Sequence, residues 1–251
     1  MTDYLLVHGA GQGSWVWGKV WGLMTAPEEH PPRLHKPRRA NRVRTIDLPG
    51  HGPDAQGDTA AVRLEECVES IRHKVEREQL SDVVLVGHGI AAGIVLKAAG
   101  SLATPPKRVC IVGGIVPEGS RSFAGACTGR LGSGLRILSL LSSLSGRELR
   151  FPHPFITRYL CNTMDTMDVV QIMGFFGPLP TRLLNSGLSL DEETPVSVST
   201  IVLTQDRVIS SQAQRRTAER LNSDEVFEID ACHMGVWQRP RELADALLRF
   251  A

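Results

Sequence analysis

Residues 83–93 read VVLVGHGIAAG, a pattern that could do covalent carbonyl chemistry but for one side chain. A hydrophobic strand, a sharp glycine turn and a small-residue helix start make a nucleophile elbow, in which the middle residue of Gly-x-nucleophile-x-Gly is lifted out of the sheet to attack a carbonyl carbon. Here the middle residue is Gly89, which offers a hydrogen atom, so the chain as written forms no acyl-enzyme at this position. Ala91 replaces the last glycine and keeps the turn small. The other chemistries that residue spacing can announce are missing. The five cysteines are scattered, odd in number and without CxxC spacing, which argues against a zinc site or a disulfide frame and suits a reducing, cytoplasmic setting. No phosphate-binding glycine loop or ligand cluster calls for a metal or an organic cofactor, and none is expected.

The elements needed to position such an elbow are readable around it. Tyr4–Val7 is a short apolar strand entering the His8-Gly9 loop, and Trp15–Met24 has helical spacing, with Trp17 and Trp21 on one face. Residues 27–42 (PEEHPPRLHKPRRANR) form a Pro-, His- and Arg-rich insertion, expected to be an exposed loop. Val43–Leu48 is a strand closed by the turn Pro49-Gly50-His51-Gly52. A helix is predicted over 62–79 from Val62, Cys67, Ile71 and Val75, followed by the buried-type strand Val83–Val86, the helix Ile90–Ala99 and the strand Arg108–Val112. Ile201–Leu203 and Val226–Ile229 are two further strands, separated by a helix around Gln212–Leu221, and an amphipathic helix after Pro240 closes the chain. Strands alternating with helices specify a doubly wound, mainly parallel α/β sheet. Residues 117–190 break the rhythm with helical patches and no clean strand. The expected division is therefore a core of 1–116 and 191–251 with a 117–190 cap over the carboxyl edge of the sheet, where open α/β folds take their ligands.

Several motifs then converge. His8-Gly9-Ala10-Gly11-Gln12-Gly13-Ser14-Trp15-Val16-Trp17 resembles the HGAxxGxWxW opening of the methylesterase and hydroxynitrile-lyase branch of the α/β-hydrolases. Asp47-Leu48-Pro49-Gly50-His51-Gly52 resembles the DLPGHG turn of the same superfamily, and the elbow, Thr204-Gln205-Asp206 and Ala231-Cys232-His233 follow in the proper order. The resemblance spans essentially the whole chain and implies an α/β-hydrolase fold. It also implies that the backbone N–H groups of Ala10 and Ile90 form an oxyanion hole, that His233 is the general base and acid, and that Asp206, 27 residues earlier, orients it. Cys232 adjoins His233, but adjacent residues rarely point so that one activates the other, so no chemical role is assigned to it. His8, His51 and His88 are read as structural, His8 through its backbone more than its ring. Glu118 is read as a loop residue rather than a substitute acid.

Length and composition bound the rest. A chain of 251 residues, 42% hydrophobic, buries the core of one large α/β domain. Twenty-eight basic against 27 acidic residues give no global attraction to nucleic acid or membranes. No apolar run of about 18 residues spans a bilayer, and MTDYLLVHGAG lacks a secretory signal pattern. Met164, Met173, Phe175 and Phe176, with Trp15, are expected to wall a pocket for a small apolar ligand. Three readings of Gly89 stay open: chemistry by His233, Asp206 and the oxyanion hole without a covalent intermediate, a serine esterase inactivated by a Ser-to-Gly change, and a small-molecule-binding protein. The first is preferred because only one part of the machinery is missing.

Overall fold

The computed structural model describes residues 2–26, 42–52, 58–119, 121–127, 148–190 and 196–250, with 134, 137–138, 140–142 and 144–145. Apart from Arg42, the basic insertion at 27–42 lies outside the described residues. Six strands form one sheet, β1 (Tyr4–Val7), β2 (Val43–Ile46), β3 (Val84–His88), β4 (Arg108–Val112), β5 (Val198–Leu203) and β6 (Glu225–Ile229), in the order β2-β1-β3-β4-β5-β6. Every pairing is parallel. This is the doubly wound sheet that the alternating pattern predicts.

Core helices cover both faces. α1 (Gly18–Thr25) and α5 (Pro240–Arg249) pack on one, and α2 (Leu64–Arg77) and α3 (Ala91–Ala99) on the other, with α4 (Ser211–Arg220) between β5 and β6. The apolar strands β1 and β3 are therefore buried on both sides. α2 forms because Leu64, Cys67, Ile71 and Val75 fall on one face, with Glu65 and Glu66 in its first turn and Lys74 and Arg77 in its last, complementing the helix dipole. It stops where Gln79 turns left-handed, at φ 49°.

The differences from the sequence reading have local causes. β5 starts three residues earlier than predicted because its polar Ser199 and Thr200 are buried yet partnered, Ser199 by Arg108 and Thr200 by Ser223. A 3-10 turn over Ser14–Trp17 precedes α1 and shifts its phase. Trp17 is thus fully buried, while Trp21 is half exposed and donates to the carbonyl of Val43.

Residues 117–190 lie between β4 and β5, as short helices at Phe123–Ala126, His153–Phe155, Thr166–Met173 and Thr181–Asn185 and a π-helical turn at Ile156–Leu160. Ile156, Leu160, Val169, Ile172 and Phe176 join the hydrophobic cluster on one face of the sheet, and Leu179, Leu183, Leu184 and Leu188 join that on the other. The described residues contain no helix long and apolar enough to cross a membrane.

The order of strands reverses at β1, whose neighbours β2 and β3 leave in opposite directions, so the crevice of an open α/β sheet falls between the carboxyl ends of β1 and β3. Gly87 lets α3 reach that crevice. A Cβ there would lie 2.6 Å from the carbonyl oxygen of Ala91, in the helix's first turn. Gly87→Ala should force strand and helix apart and cost about 1–3 kcal/mol, as overpacking does. A urea midpoint equal to that of the parent would show that α3 does not depend on this approach.

Candidate active site

Four strand ends bring the site together. β1 leads to His8-Gly9-Ala10, β3 to His88-Gly89, β5 to Asp206 and β6 to His233. Gly89 sits in the left-handed region at φ 60°, its N–H donating to the carbonyl of Val112 at 3.1 Å and its carbonyl accepting from Ala92 at 3.3 Å. A Cβ at this position would lie 3.4 Å from His233 Nε2 and 3.5 Å from its Cε1. The direction in which a nucleophile would project is thus kept, and it ends at the imidazole.

His233 Nδ1 lies 2.7 Å from Asp206 Oδ2, and both side chains are buried. The carboxylate is fully partnered: Oδ1 accepts from the N–H groups of Val208 (2.7 Å) and Ile209 (2.9 Å), and Oδ2 also accepts from Gln214 Nε2 at 3.2 Å. Gln214, on α4, was not singled out from the sequence. Its Nε2 also donates to Ile209 O at 2.7 Å and its Oε1 accepts from Leu203 N–H at 2.8 Å, so it fastens the loop that carries the aspartate to its strand. A buried polar side chain on a helix beginning at Ser211 gives no sequence signal distinguishing it from a surface glutamine.

On the other side, neither the Ala10 nor the Ile90 N–H donates to a protein group among the described residues. The loop bearing Ala10 is held from three directions. Gly9 N–H donates to Gln12 Oε1 at 2.9 Å, Gly11 O accepts from Gly177 N–H at 2.8 Å, and a Cβ on Gly11 would meet Leu179 at 2.9 Å. The insertion therefore abuts this loop directly.

The His8 ring does more than the sequence reading allowed. Its Nε2 accepts from Leu48 N–H at 3.0 Å and its Nδ1–H donates to Gly9 O at 2.8 Å, tying the Asp47–Gly52 turn to the first loop. His51 donates through Nδ1 to Pro49 O at 2.9 Å, a turn contact as expected. Cys232 is completely buried, and burial pushes its thiol up to about 11, so it is not a ready nucleophile. Glu118 is exposed in a loop.

The side chains expected to wall a pocket are packed together. Trp15 packs against Phe176 (5.6 Å between ring centroids), Phe175 (5.5 Å) and Trp237 (6.0 Å), and the partly buried Met164 and Met173 lie against the same cluster. Phe175 is 59% exposed, so it rims the wall rather than enclosing it. Phe151, which the sequence reading did not single out, joins this packing: it stacks on Phe155 at 4.9 Å, meets Phe176 edge-on at 6.5 Å and lies 3.6 Å from where a Cβ on Gly11 would sit. A lone aromatic between Arg150 and Pro152 has no periodicity to betray it. No group of three or more possible metal-ligating His, Cys, Asp or Glu side chains occurs among the described residues.

Residues 4–246 match the Alpha/beta hydrolase family. The chain belongs to that family. Along its full length it is 26% identical over 264 residues to methylesterase 9 of Arabidopsis thaliana, covering 98% of that protein. Among solved structures it is similar to an extracellular alpha/beta-hydrolase from a Paenibacillus species, described as sharing structural and functional homology with tobacco salicylic acid binding protein 2. That likeness has a TM-score of 0.84 at 19% identity and covers 100% of this chain and 99% of the other. Tomato methylketone synthase I, solved with 2-tridecanone, has a TM-score of 0.73 at 17% identity, covering 99% of this chain and 96% of the other. Members of the α/β-hydrolase family share the fold found here, with loops converging at the carboxyl edge of the sheet.

The His8 contacts make a pH prediction. Burial chiefly, and His51 next to it, push its pKa from 6.5 down to about 3, and its Nε2 must stay unprotonated to accept from Leu48. An unfolded ring takes a proton near 6.5 that the folded ring refuses until about 3, so this contribution is complete above pH 6.5 and is lost as pH falls through that window. His51 is lowered in the same direction, also chiefly by burial. Replacing His8 by Gln should flatten the fall in unfolding free energy, read from urea titrations between pH 7 and pH 5, by up to about 1.4 kcal/mol per pH unit below the unfolded pKa. Parallel profiles for parent and variant would count against a neutral, bridging His8.

Proposed function

We propose that this chain is an enzyme acting on a small, largely apolar carbonyl compound without a serine acyl-enzyme. In this reading His233 is the base and acid, Asp206 holds its tautomer, and the Ala10 and Ile90 N–H groups stabilise the developing oxyanion. Residues 117–190 serve as the cap, with Trp15, Met164, Met173, Phe176 and, at the rim, Phe175 against the substrate. The observation that carries it is the position of Gly89: a Cβ there would lie 3.4 Å from His233 Nε2, so the missing side chain leaves its space next to the imidazole nitrogen that would do the chemistry.

Two routes use that space. In one, water beside His233 gives its proton to Nε2 as its oxygen bonds to the carbonyl carbon of an ester or lactone, and collapse of the oxyanion expels an alkoxide that takes the proton back; an epoxide would open by the same attack. In the other, His233 removes a proton from the substrate and the two N–H groups hold the resulting enolate, which gives lyase, cyclase or elimination chemistry. The 2-tridecanone bound by the tomato relative supports an apolar carbonyl compound as the class to test first. Oxyanion donors and binding alone sustain about 10³–10⁴ over water in a serine protease stripped of its triad, so loss of the nucleophile is compatible with turnover. The reading calls on no cofactor. A cytoplasmic setting belongs to it too, supported by five buried cysteines without disulfides.

A second reading draws on the same geometry. Glycine at a position aimed at His233 also suits a serine esterase whose nucleophile has been replaced, and the methylesterase name of a full-length relative favours it.

One assay series separates the readings. The parent should turn over members of a panel of methyl esters, aryl esters and β-keto acids, and His233→Ala should lower kcat/KM by at least about 10²-fold. Equal turnover by that variant would remove His233 from the reaction. Gly89→Ser should gain a burst of ester cleavage while losing about 1–2 kcal/mol of stability to a non-glycine left-handed residue. Esterase activity in this variant beside an inert parent would favour the replaced-serine reading.

A further inference from the structure

His88, beside the vacant position, is completely buried, and both of its ring nitrogens face oxygen atoms. Nδ1 lies 3.0 Å from Gln12 Oε1 and Nε2 lies 2.9 Å from the backbone carbonyl oxygen of His233. Turning the Gln12 amide over does not resolve this, because its oxygen already accepts from Gly9 N–H at 2.9 Å while its nitrogen donates to Met234 Sδ at 3.3 Å. A neutral imidazole has one N–H for two acceptors. An imidazolium would satisfy both, but the ring is fully enclosed, and the titratable groups facing it, His233 and His8, are both bases.

Counting partners identifies the tautomer. With the proton on Nδ1, the His233 carbonyl and Nε2 are left without a partner. With the proton on Nε2, the His233 carbonyl is satisfied, Gln12 Oε1 keeps the Gly9 N–H, and only the Nδ1 lone pair is unmatched. Unpaired buried polar groups cost about 1–3 kcal/mol each, so the second arrangement wins. We infer that His88, as its Nε2–H tautomer, is a positioning residue: it holds the backbone of His233, while Gln12, packed against its other nitrogen, holds the Gly9–Ala10 loop. The pair sets the distance between the base and the oxyanion donors across the vacant position. Ring contact reinforces the register, with His88 and His233 centroids 4.7 Å apart and Trp17 edge-on to His88 at 6.3 Å. The functional meaning rests on His233 being the base, as proposed above, but the geometry can be tested without turnover.

Two-bond proton–nitrogen spectra of the ¹⁵N-histidine-labelled protein read the tautomer directly. One histidine should remain an Nε2–H tautomer without titrating wherever the protein stays folded, and its signals should disappear in His88→Gln. An Nδ1–H tautomer, or an imidazolium near neutral pH, would overturn the inference. The same spectra report the His233 ring signals, identified by their loss in His233→Ala. His88→Phe should displace those signals at fixed pH. His88→Gln, whose amide nitrogen can occupy the place of Nε2, should restore them towards the parent positions. Should His88→Phe not fold, Gln12→Leu provides a milder perturbation and should displace the same signals. His233 ring signals unchanged in every folded variant would refute the positioning role. A normal spectrum with no turnover on any substrate would instead count against the enzymatic reading alone.

Discussion

The left-handed turn at Gly89 is the constraint on which the rest of the site depends. β3 must end and α3 must begin within two residues, and a side chain on the left-handed residue between them would point at His233. Neither could happen if the helix stood off from the strand. Gly87, which would drive a Cβ to within 2.6 Å of the Ala91 carbonyl, lets it come close, and Gly114, just past the neighbouring strand β4, allows the same, where a Cβ would fall 2.6 Å from that of Ala92. Close packing of backbone on backbone, with small residues on both sides, turns a generic strand-to-helix connection into a rigid elbow.

Around that elbow, polar groups removed from water are matched almost one for one, which is what keeps the site from drifting. The Asp206 carboxylate has two backbone donors on one oxygen and Gln214 with His233 on the other. His8 joins the first loop to the Asp47–Gly52 turn, and Ser14 binds the same turn through the Asp47 carboxylate. Each side chain that could act on a substrate is therefore oriented by a partner of its own, as preorganisation for carbonyl chemistry requires. The insertion is held by packing and by bonds to the core: Gly177 N–H donates to Gly11 O, Met234 N–H to Leu160 O and Gln238 Nε2 to Thr163 O, while Asp168 accepts from Trp237 and pairs with Lys19, which itself lies over the Trp237 ring at 4.4 Å.

The legible parts of the sequence were those in which one physical rule acted alone. Continuous apolar runs gave β1, β3 and β4, helical spacing of Val62, Cys67, Ile71 and Val75 gave α2, and motif order paired Asp206 with His233, which lie 2.7 Å apart. Reading failed where two rules competed. β5 was truncated because Ser199 and Thr200 look like surface residues until Arg108 and Ser223 are found beside them. The role of the His8 ring was undervalued, since its Leu48 contact joins segments 40 residues apart. Phe151 and Gln214 lacked any local signature, because their partners come from distant parts of the chain. The long-range polar contacts were thus the hidden layer, and they hold the site in place.

Glycine at position 89 shifts the balance between stability and chemistry. A side chain held at φ 60° is strained, and strain of this kind persists only where surrounding structure enforces it. Here the enforcing structure is all present: the Gly87 approach, the Val112 bond to Gly89 N–H, and the two loops on either side. Glycine itself bears no strain at this φ, and the imidazole stands where a side chain on that residue would meet it. The space beside His233 Nε2 is therefore framed by the carboxyl edge of the sheet, through the Gly87 approach, the Val112 bond and the loops on either side.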